Sequence, residues 1–244
     1  MIINLDEVDS TNEYLKRMSA DGYDSEEMLT VTAQYQNSGK GRRGRSWVTE
    51  PGSALMFSVM IKPRLSLSDC SMLTLVMALA VKKALSDMDV ETGIKWPNDI
   101  VMNQKKLCGI LTEALSETGQ IIIGVGINTN QEYMPEELSQ TATSILLQTD
   151  DCVDHDSLLD SILFHFDELC KKVYETNDLS LLKEEYEQAL VSKNGEVTVL
   201  DPEGEYNGIC KGIDNTGQLL VECENDIKKV YAGEVSVRGI YGYV

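Results

Sequence analysis

The sequence predicts an α+β fold, with a mixed sheet flanked by helices and a small β-barrel at the C-terminal end. Three observations predict it. Short apolar runs recur at hairpin spacing over 93–95, 100–102, 107–113 and 120–127. They are separated by turn residues and not by the helical stretches that repeated βαβ units require. One long apolar segment, 65–88, has the length of a helix; Ser66, Ser68, Asp69, Lys82 and Lys83 interrupt it, so it reads as a buried globular helix and not as a membrane span. The final stretch holds five short strand candidates in close succession, the signature of a small barrel.

From the N-terminus onward, Ser10-Thr11-Asn12-Glu13 fits a capping box opening a helix that runs to about Ala20. Residues 28–35 (MLTVTAQY) and 54–61 (ALMFSVMI) read as strands, and the basic loop 38–47 between them has neither helical nor strand periodicity. From 132 to 188 the chain is acidic and helical, with Leu158, Leu159, Ile162, Phe166, Leu169 and Val173 at helical spacing and a second helix over 179–190. Its charge reads as a solvated outer face. The last strands are expected at 196–200, 206–212, 219–223, 227–231 and 234–237. A boundary near 192–195 divides the chain into domains 1–192 and 193–244.

The chain has 244 residues, enough for one or two domains with a sizeable core. Its 21 Lys and Arg face 40 Asp and Glu, giving a net charge of −19. A field of that sign opposes docking on nucleic acid or an anionic bilayer. The six cysteines form no CxxC and no metal-type pairing with His155 and His165. Reduced, mostly buried thiols are therefore expected. The N-terminus is acidic and lacks an apolar signal-peptide core, and a cytoplasmic location is expected.

One stretch breaks the charge average. Gln36-Asn37-Ser38-Gly39-Lys40-Gly41-Arg42-Arg43-Gly44-Arg45-Ser46-Trp47 packs four basic residues into six positions, interleaved with glycines. Glycines let backbone N–H groups wrap an oxyanion, and arginine adds a forked, permanent charge suited to phosphate or carboxylate. A solvated basic turn and an RNA-binding patch are the alternatives, the second weakened by the missing aromatic interleaving. Trp47 reads either as a cover over a ligand or as core. Gly93-Ile94-Lys95-Trp96-Pro97-Asn98-Asp99 ends a strand in a Pro-fixed turn, either a functional loop or ordinary hairpin chemistry with a Lys95–Asp99 ion pair. At hairpin distance, Lys105-Lys106-Leu107-Cys108-Gly109-Ile110-Leu111 brings a lysine back to the same end, and Gly109 suggests close approach to the backbone. Gly124-Val125-Gly126-Ile127-Asn128 reads by default as a tight turn.

Taken together and in order, Ser10-Thr11-Asn12, the QxxGKGRRGRxW loop, KWPND, KKLxGIL and GxGIN resemble the biotin–protein ligases, and residues 231–238 (YAGEVSVR) resemble the end of that family's C-terminal barrel. The resemblance implies a class II aminoacyl-tRNA synthetase/biotin ligase-like fold with an SH3-like barrel. It implies activation of biotin by ATP and Mg2+ to biotinyl-5'-AMP, then transfer to a lysine of a biotin carboxyl carrier domain. Ser10, Thr11, Asn12, Gln36, Lys40, Gly41, Arg42, Lys106 and Gly109 match biotin-binding positions. Arg42, Arg45, Trp47, Asn98, Lys106 and Asn128 are the ATP-side candidates. Arg42, Lys106 and Asp99 are the catalytic candidates. Asp99 is left between metal binding, deprotonating the incoming lysine and a structural turn role. Lys40 stands where the family often has Arg, and Cys108 where it often has Ala. With Ser10 so near Met1, a ligase without the family's occasional DNA-binding domain is expected, with no nucleic-acid or membrane partner and a sheet-edge homodimer as an option. A lipoate–protein ligase is the enzymatic alternative, and a non-enzymatic anion- or RNA-binding protein the other.

Overall fold

The computed structural model describes residues 1–66, 69–201, 204–224, 226–232 and 236–239. The chain divides into two compact units: Met1–Cys70 with Leu107–Asp160, and Ser71–Lys106 with Ser161–Val244.

In the first unit, strands β1 (Ile2–Val8), β2 (Leu29–Gln36), β3 (Ala54–Ile61), β6 (Lys105–Leu115) and β7 (Gln120–Asn128) lie in the order β1-β2-β3-β7-β6. Lys105 and Lys106, the first residues of β6, belong to the second unit. The β1–β2 pair is parallel and the other pairs are antiparallel, so the sheet is mixed as expected. Helix α1 (Thr11–Ala20) packs on β2, β3 and β7. Leu15 of the helix is fully buried against Leu29, Val31, Met60 and Ile122. Burying a side chain of this size contributes about 1.5–3 kcal/mol.

Three expectations need correction here. Residues 2–8 form a strand, where the sequence pattern predicts no element. Ile3 and Leu5 pack on the core while Asp6 and Glu7 face solvent, so the segment's acidity masked its period. The capping box does not form, because the Ser10 side chain makes no cap hydrogen bond and Glu13 pairs instead with Lys16 and Lys40. Third, Gly124 and Gly126 lie inside β7 and not in a turn.

The second unit contains α2 (Met72–Ser86), β4 (Gly93–Lys95), β5 (Asp99–Met102), α5 (Lys183–Ala189) and the C-terminal strands. α2 begins seven residues later than the apolar stretch suggested. Ser66 Oγ donates to Asp69 Oδ2 at 2.6 Å, a local bond that competes with helix formation. The helix is buried on most faces and packs on α5, β4 and β5. α3 (Ile145–Thr149) is a single short turn, and α4 (His155–Thr176) carries the predicted apolar stripe. The acidic region is thus helical over 155–176 and 183–189 and irregular over 130–142.

Strands β8 (Glu196–Leu200), β9 (Tyr206–Ile213), β10 (Leu219–Cys223), β11 (Asp226–Val230) and β12 (Ser236–Gly239) form an antiparallel sheet in the order β11-β10-β9-β8-β12. Residues 233–235, in the segment matched to the family's ending, lie outside the described residues, as do Pro202, Glu203 and Asn225. No cysteine is bridged among the described residues, and burial pushes the Cys70 thiol up to about 11 and the Cys170 thiol to about 12. No helix among the described residues is long and apolar enough to cross a membrane.

Candidate active site

In the first unit the N-terminus of α1 meets the middle of the sheet. Ser10, Thr11 and Asn12 are each 3% exposed, unusual for polar residues at a helix start. Gln36, at the end of β2, accepts on Oε1 from the Thr11 backbone N–H at 2.7 Å, and Thr11 Oγ1 lies 3.1 Å from the same oxygen. Ser10 N–H donates to Asp9 Oδ1 at 2.8 Å. The Arg17 guanidinium grips both Asp9 oxygens and holds that carboxyl down at about 2.

Beneath this cluster the sheet carries no side chains along a short strip. Successive residues of β7 point to opposite faces, so Gly124, Gly126 and Asn128 share one face. Gly126 pairs across strands with Met56 and Gly109, and Gly124 with Ser58 and Leu111. A Cβ on Gly124 would lie 2.2 Å from Asn12 Oδ1, and one on Gly126 would lie 2.5 Å from Trp47 Cε2. The glycines are therefore required by what rests on them. Trp47 lies on this strip, and its indole Nε1 is buried with no hydrogen-bond partner among the described residues.

The basic loop folds back on itself. Trp47 N–H donates to Gly39 O at 2.9 Å and Gly41 N–H to Arg45 O at 2.7 Å, with a bridge between Lys40 and Ser46. Arg43, at the tip, adopts a left-handed φ of 59°. Gly39 allows this closure, because a Cβ there would sit 2.4 Å from Trp47 O. Lys40 Nζ reaches Glu13 Oε1 at 2.8 Å; with Lys16 it holds the Glu13 carboxyl below the usual range. Arg42 is half-buried, and Arg43 and Arg45 are exposed. At the end of β7, Asn128 donates to Thr143 O at 3.0 Å and accepts from Gln131 Nε2 at 3.0 Å. The adjoining Thr129 Oγ1 lies 2.6 Å from His155 Nε2.

In the second unit β4 and β5 form a hairpin with Lys95 opposite Asp99 and a cis Trp96–Pro97 peptide in its turn. Trp96 is buried and donates from Nε1 to Gly217 O at 2.9 Å, which anchors the turn. Asn98 Nδ2 donates to Asp99 Oδ1 at 3.1 Å. Lys106 Nζ reaches the same oxygen at 2.7 Å, with side chains 27% and 14% exposed for Lys106 and Asp99. Hairpin spacing therefore returns a lysine to the end of the sheet where Asp99 sits, and Lys106 forms an ion pair with it. A cavity of about 1100 Å³ in this unit, between α2, α5 and the turn at Asn103 and Gln104, is lined by none of the candidate biotin-binding, ATP-binding or catalytic residues.

Two site residues escaped the sequence reading. Ser58, fully buried, contacts both Thr11 and Asn12. Its signal was a single polar residue inside an otherwise apolar strand. Glu113 contacts Asn12 and Lys16, and nothing in its local sequence distinguishes it from a solvent-facing strand residue.

The pattern of the Biotin/lipoate A/B protein ligase family matches residues 5–128, and that of the Biotin protein ligase C terminal domain matches residues 194–238. The chain belongs to the biotin/lipoate A/B protein ligase family. Among relatives of this ligase family, the bifunctional ligase/repressor BirA of Bacillus subtilis is 33% identical over 213 residues, covering 85% of this chain and 65% of the relative. The chain thus spans about two-thirds of the length of that protein. A biotin–[acetyl-CoA-carboxylase] ligase of Mycobacterium tuberculosis is 29% identical over 232 residues, covering 93% of this chain and 85% of the relative. The structure of biotin protein ligase from Aquifex aeolicus in complex with biotin and ATP aligns with a TM-score of 0.85 at 33% identity, covering 98% of each chain.

Proposed function

We propose that this family member is an ATP-dependent biotin–protein ligase. The observation that carries the reading is the polar cluster of buried Thr11, Asn12 and Ser58 with half-buried Gln36, beside the glycines of β7. Such a site suits a small, flat, polar ring. The names of the relatives and of the aligned structure support biotin and ATP as the ligands.

In the first step a biotin carboxylate oxygen attacks the α-phosphorus of ATP, the α–β phosphoanhydride bond breaks, and pyrophosphate leaves. Biotinyl-5'-AMP remains. In the second, the ε-amine of a carrier lysine attacks the acyl carbon, AMP departs and the amine gives up a proton. Arg42 bridges the biotin carboxylate and the ATP phosphate, and Lys106 stabilises the charge of the pentavalent phosphorus. Fixed cations in a closed site offset the repulsion between two anionic substrates. Ser10, Thr11, Asn12, Gln36, Lys40, Gly41 and Gly109 bind biotin, and Arg45, Trp47, Asn98 and Asn128 serve ATP. Closure of the loop over the acyl-adenylate excludes water.

Mg2+ fits this residue set only as an ion carried in by the triphosphate. No cluster of three or more His, Cys, Asp or Glu side chains stands ready for one among the described residues, and Asp99 offers a single carboxylate already paired with Lys106. Residues 1–192 form the catalytic domain of class II synthetase type and 193–244 an SH3-like barrel, a division supported by the separate family patterns. The partner is a biotin carboxyl carrier domain of a biotin-dependent carboxylase, met in the cytoplasm, with no nucleic-acid or membrane partner; a sheet-edge homodimer is the oligomeric form to test. Lipoate is the weaker substrate reading, because its dithiolane ring has no N–H to satisfy the buried cluster.

The test is transfer. Incubated with biotin, ATP, Mg2+ and a carrier domain, the protein should add one biotinyl group to a single carrier lysine, read by intact mass. An unmodified carrier would exclude the reading.

A further inference from the structure

We propose that Glu113 is a positioning residue that sets the hydrogen-bond polarity of the biotin-head cluster, acting through Asn12 and Ser58 on Thr11. This rests on the biotin reading above and extends it to a residue outside the ligand's own contacts.

The argument is a count of protons. Glu113 Oε2 lies 2.7 Å from Asn12 Nδ2, and Leu111 O is on the same side at 3.4 Å. A carboxylate and a carbonyl only accept, so both place the Asn12 amino group toward β6. Asn12 Oδ1 is then turned to Ser58 Oγ, 2.6 Å away. Ser58 has one hydroxyl proton and a second short contact, 2.7 Å to Thr11 Oγ1. Because the Asn12 oxygen can only accept, the Ser58 proton is directed there, and the Thr11 hydroxyl donates to Ser58. The competing Thr11 Oγ1 contact to Gln36 is longer, and Gln36 Oε1 already receives the Thr11 backbone N–H. The protons of the chain thus all run toward Glu113. Its far end, Thr11 Oγ1, is left with lone pairs for a ligand N–H, which the ureido ring of biotin supplies.

Two features keep Glu113 in this role. Lys16 Nζ donates to its other oxygen at 2.7 Å, so each carboxylate oxygen receives a donor, one from Lys16 and one from Asn12. Asn12 is 3% exposed, and its Oδ1 rests on the space left by Gly124. Reversing the amide would turn the Ser58 proton onto Thr11 Oγ1, 2.7 Å away, and set the oxygen of Asn12 against a carboxylate.

The test uses the full chain in a biotin-dependent pyrophosphate-release assay. Glu113→Ala and Ser58→Ala should each raise the KM for biotin by about tenfold, the worth of one disturbed buried hydrogen bond. The KM for ATP should hold, a split that general loosening of the fold would not give. Because both act through one chain, the double variant should raise the biotin KM no further than the larger single effect. A folded Glu113→Ala protein with unchanged biotin KM, or single effects that multiply in the double variant, would overturn the proposal. If Glu113→Ala does not fold, Glu113→Met keeps most of the volume, removes both acceptor oxygens and is judged by the same two criteria. Absence of turnover in the wild-type protein would instead count against the biotin reading itself.

Discussion

Gly124 shows how much of the site depends on a missing carbon. Asn12 cannot swing aside to admit a Cβ, because Ser58, Leu111 and Glu113 all hold its amide. Gly124→Ala should therefore cost about 1–3 kcal/mol in overpacking and raise the KM for biotin. Thermal melting and steady-state kinetics check both, and a variant with normal KM would mean that Asn12 moves freely. Arg42→Ala should slow adenylate formation and let biotinyl-AMP escape; normal synthesis and retention of the adenylate would remove the loop from the mechanism. Lys106→Ala should abolish the first half-reaction while circular dichroism stays that of the folded protein. An unfolded variant would make the Lys106–Asp99 pair structural. Residue types at motif spacing were readable from the chain alone, which is why the loop, KWPND and the second lysine stood out. Ser58 and Glu113 were not readable as site residues. Their roles exist only because β3 and β6 carry them to one helix end, a long-range consequence of register.

Among the elements, those with a clean period were legible: β3 has its predicted bounds, and β2, β7 and β8–β10 lie within a residue or two of theirs. Where local chemistry competes with periodicity, the reading slipped. Serine and aspartate bonding delayed α2, and the acidic partners of an edge strand concealed β1. The spacing puts Glu13 in a cap, but two lysines, one of them in the distant basic loop, take it instead. The start of α4 carries a titration prediction. Burial lowers the pKa of His155 below its ordinary 6.5 while Thr129 Oγ1 holds its Nε2. As pH falls through 6.5 the unfolded chain takes up a proton that the folded chain still refuses, so stability drops with acidification. Melting temperature should fall between about pH 7.5 and about pH 5.5, and His155→Asn should narrow that drop. An equal drop in both proteins would assign the acid sensitivity to other groups.

For the molecule as a whole, a net charge of −19 and a cationic loop of Lys40, Arg42, Arg43 and Arg45 are compatible, because screening at physiological salt confines each exposed charge to about 8–10 Å. The loop should therefore act on a substrate carboxylate and phosphate without recruiting nucleic acid. Fluorescence anisotropy with a single-stranded RNA should show no salt-sensitive binding. Tight binding that weakens steeply with salt would favour an RNA-associated role. Fold class and the succession of motifs were visible in the sequence, since both depend on local pattern. How the chain partitions into compact units was not, since α2, the β4–β5 hairpin and the C-terminal sheet are brought into one unit by long-range packing. The most direct measurement is pyrophosphate release from ATP and Mg2+, with biotin and then with lipoate as the acid. Biotin should drive release and leave biotinyl-5'-AMP on the protein, with lipoate giving far less; silence with biotin, or turnover with lipoate alone, would contradict the assignment.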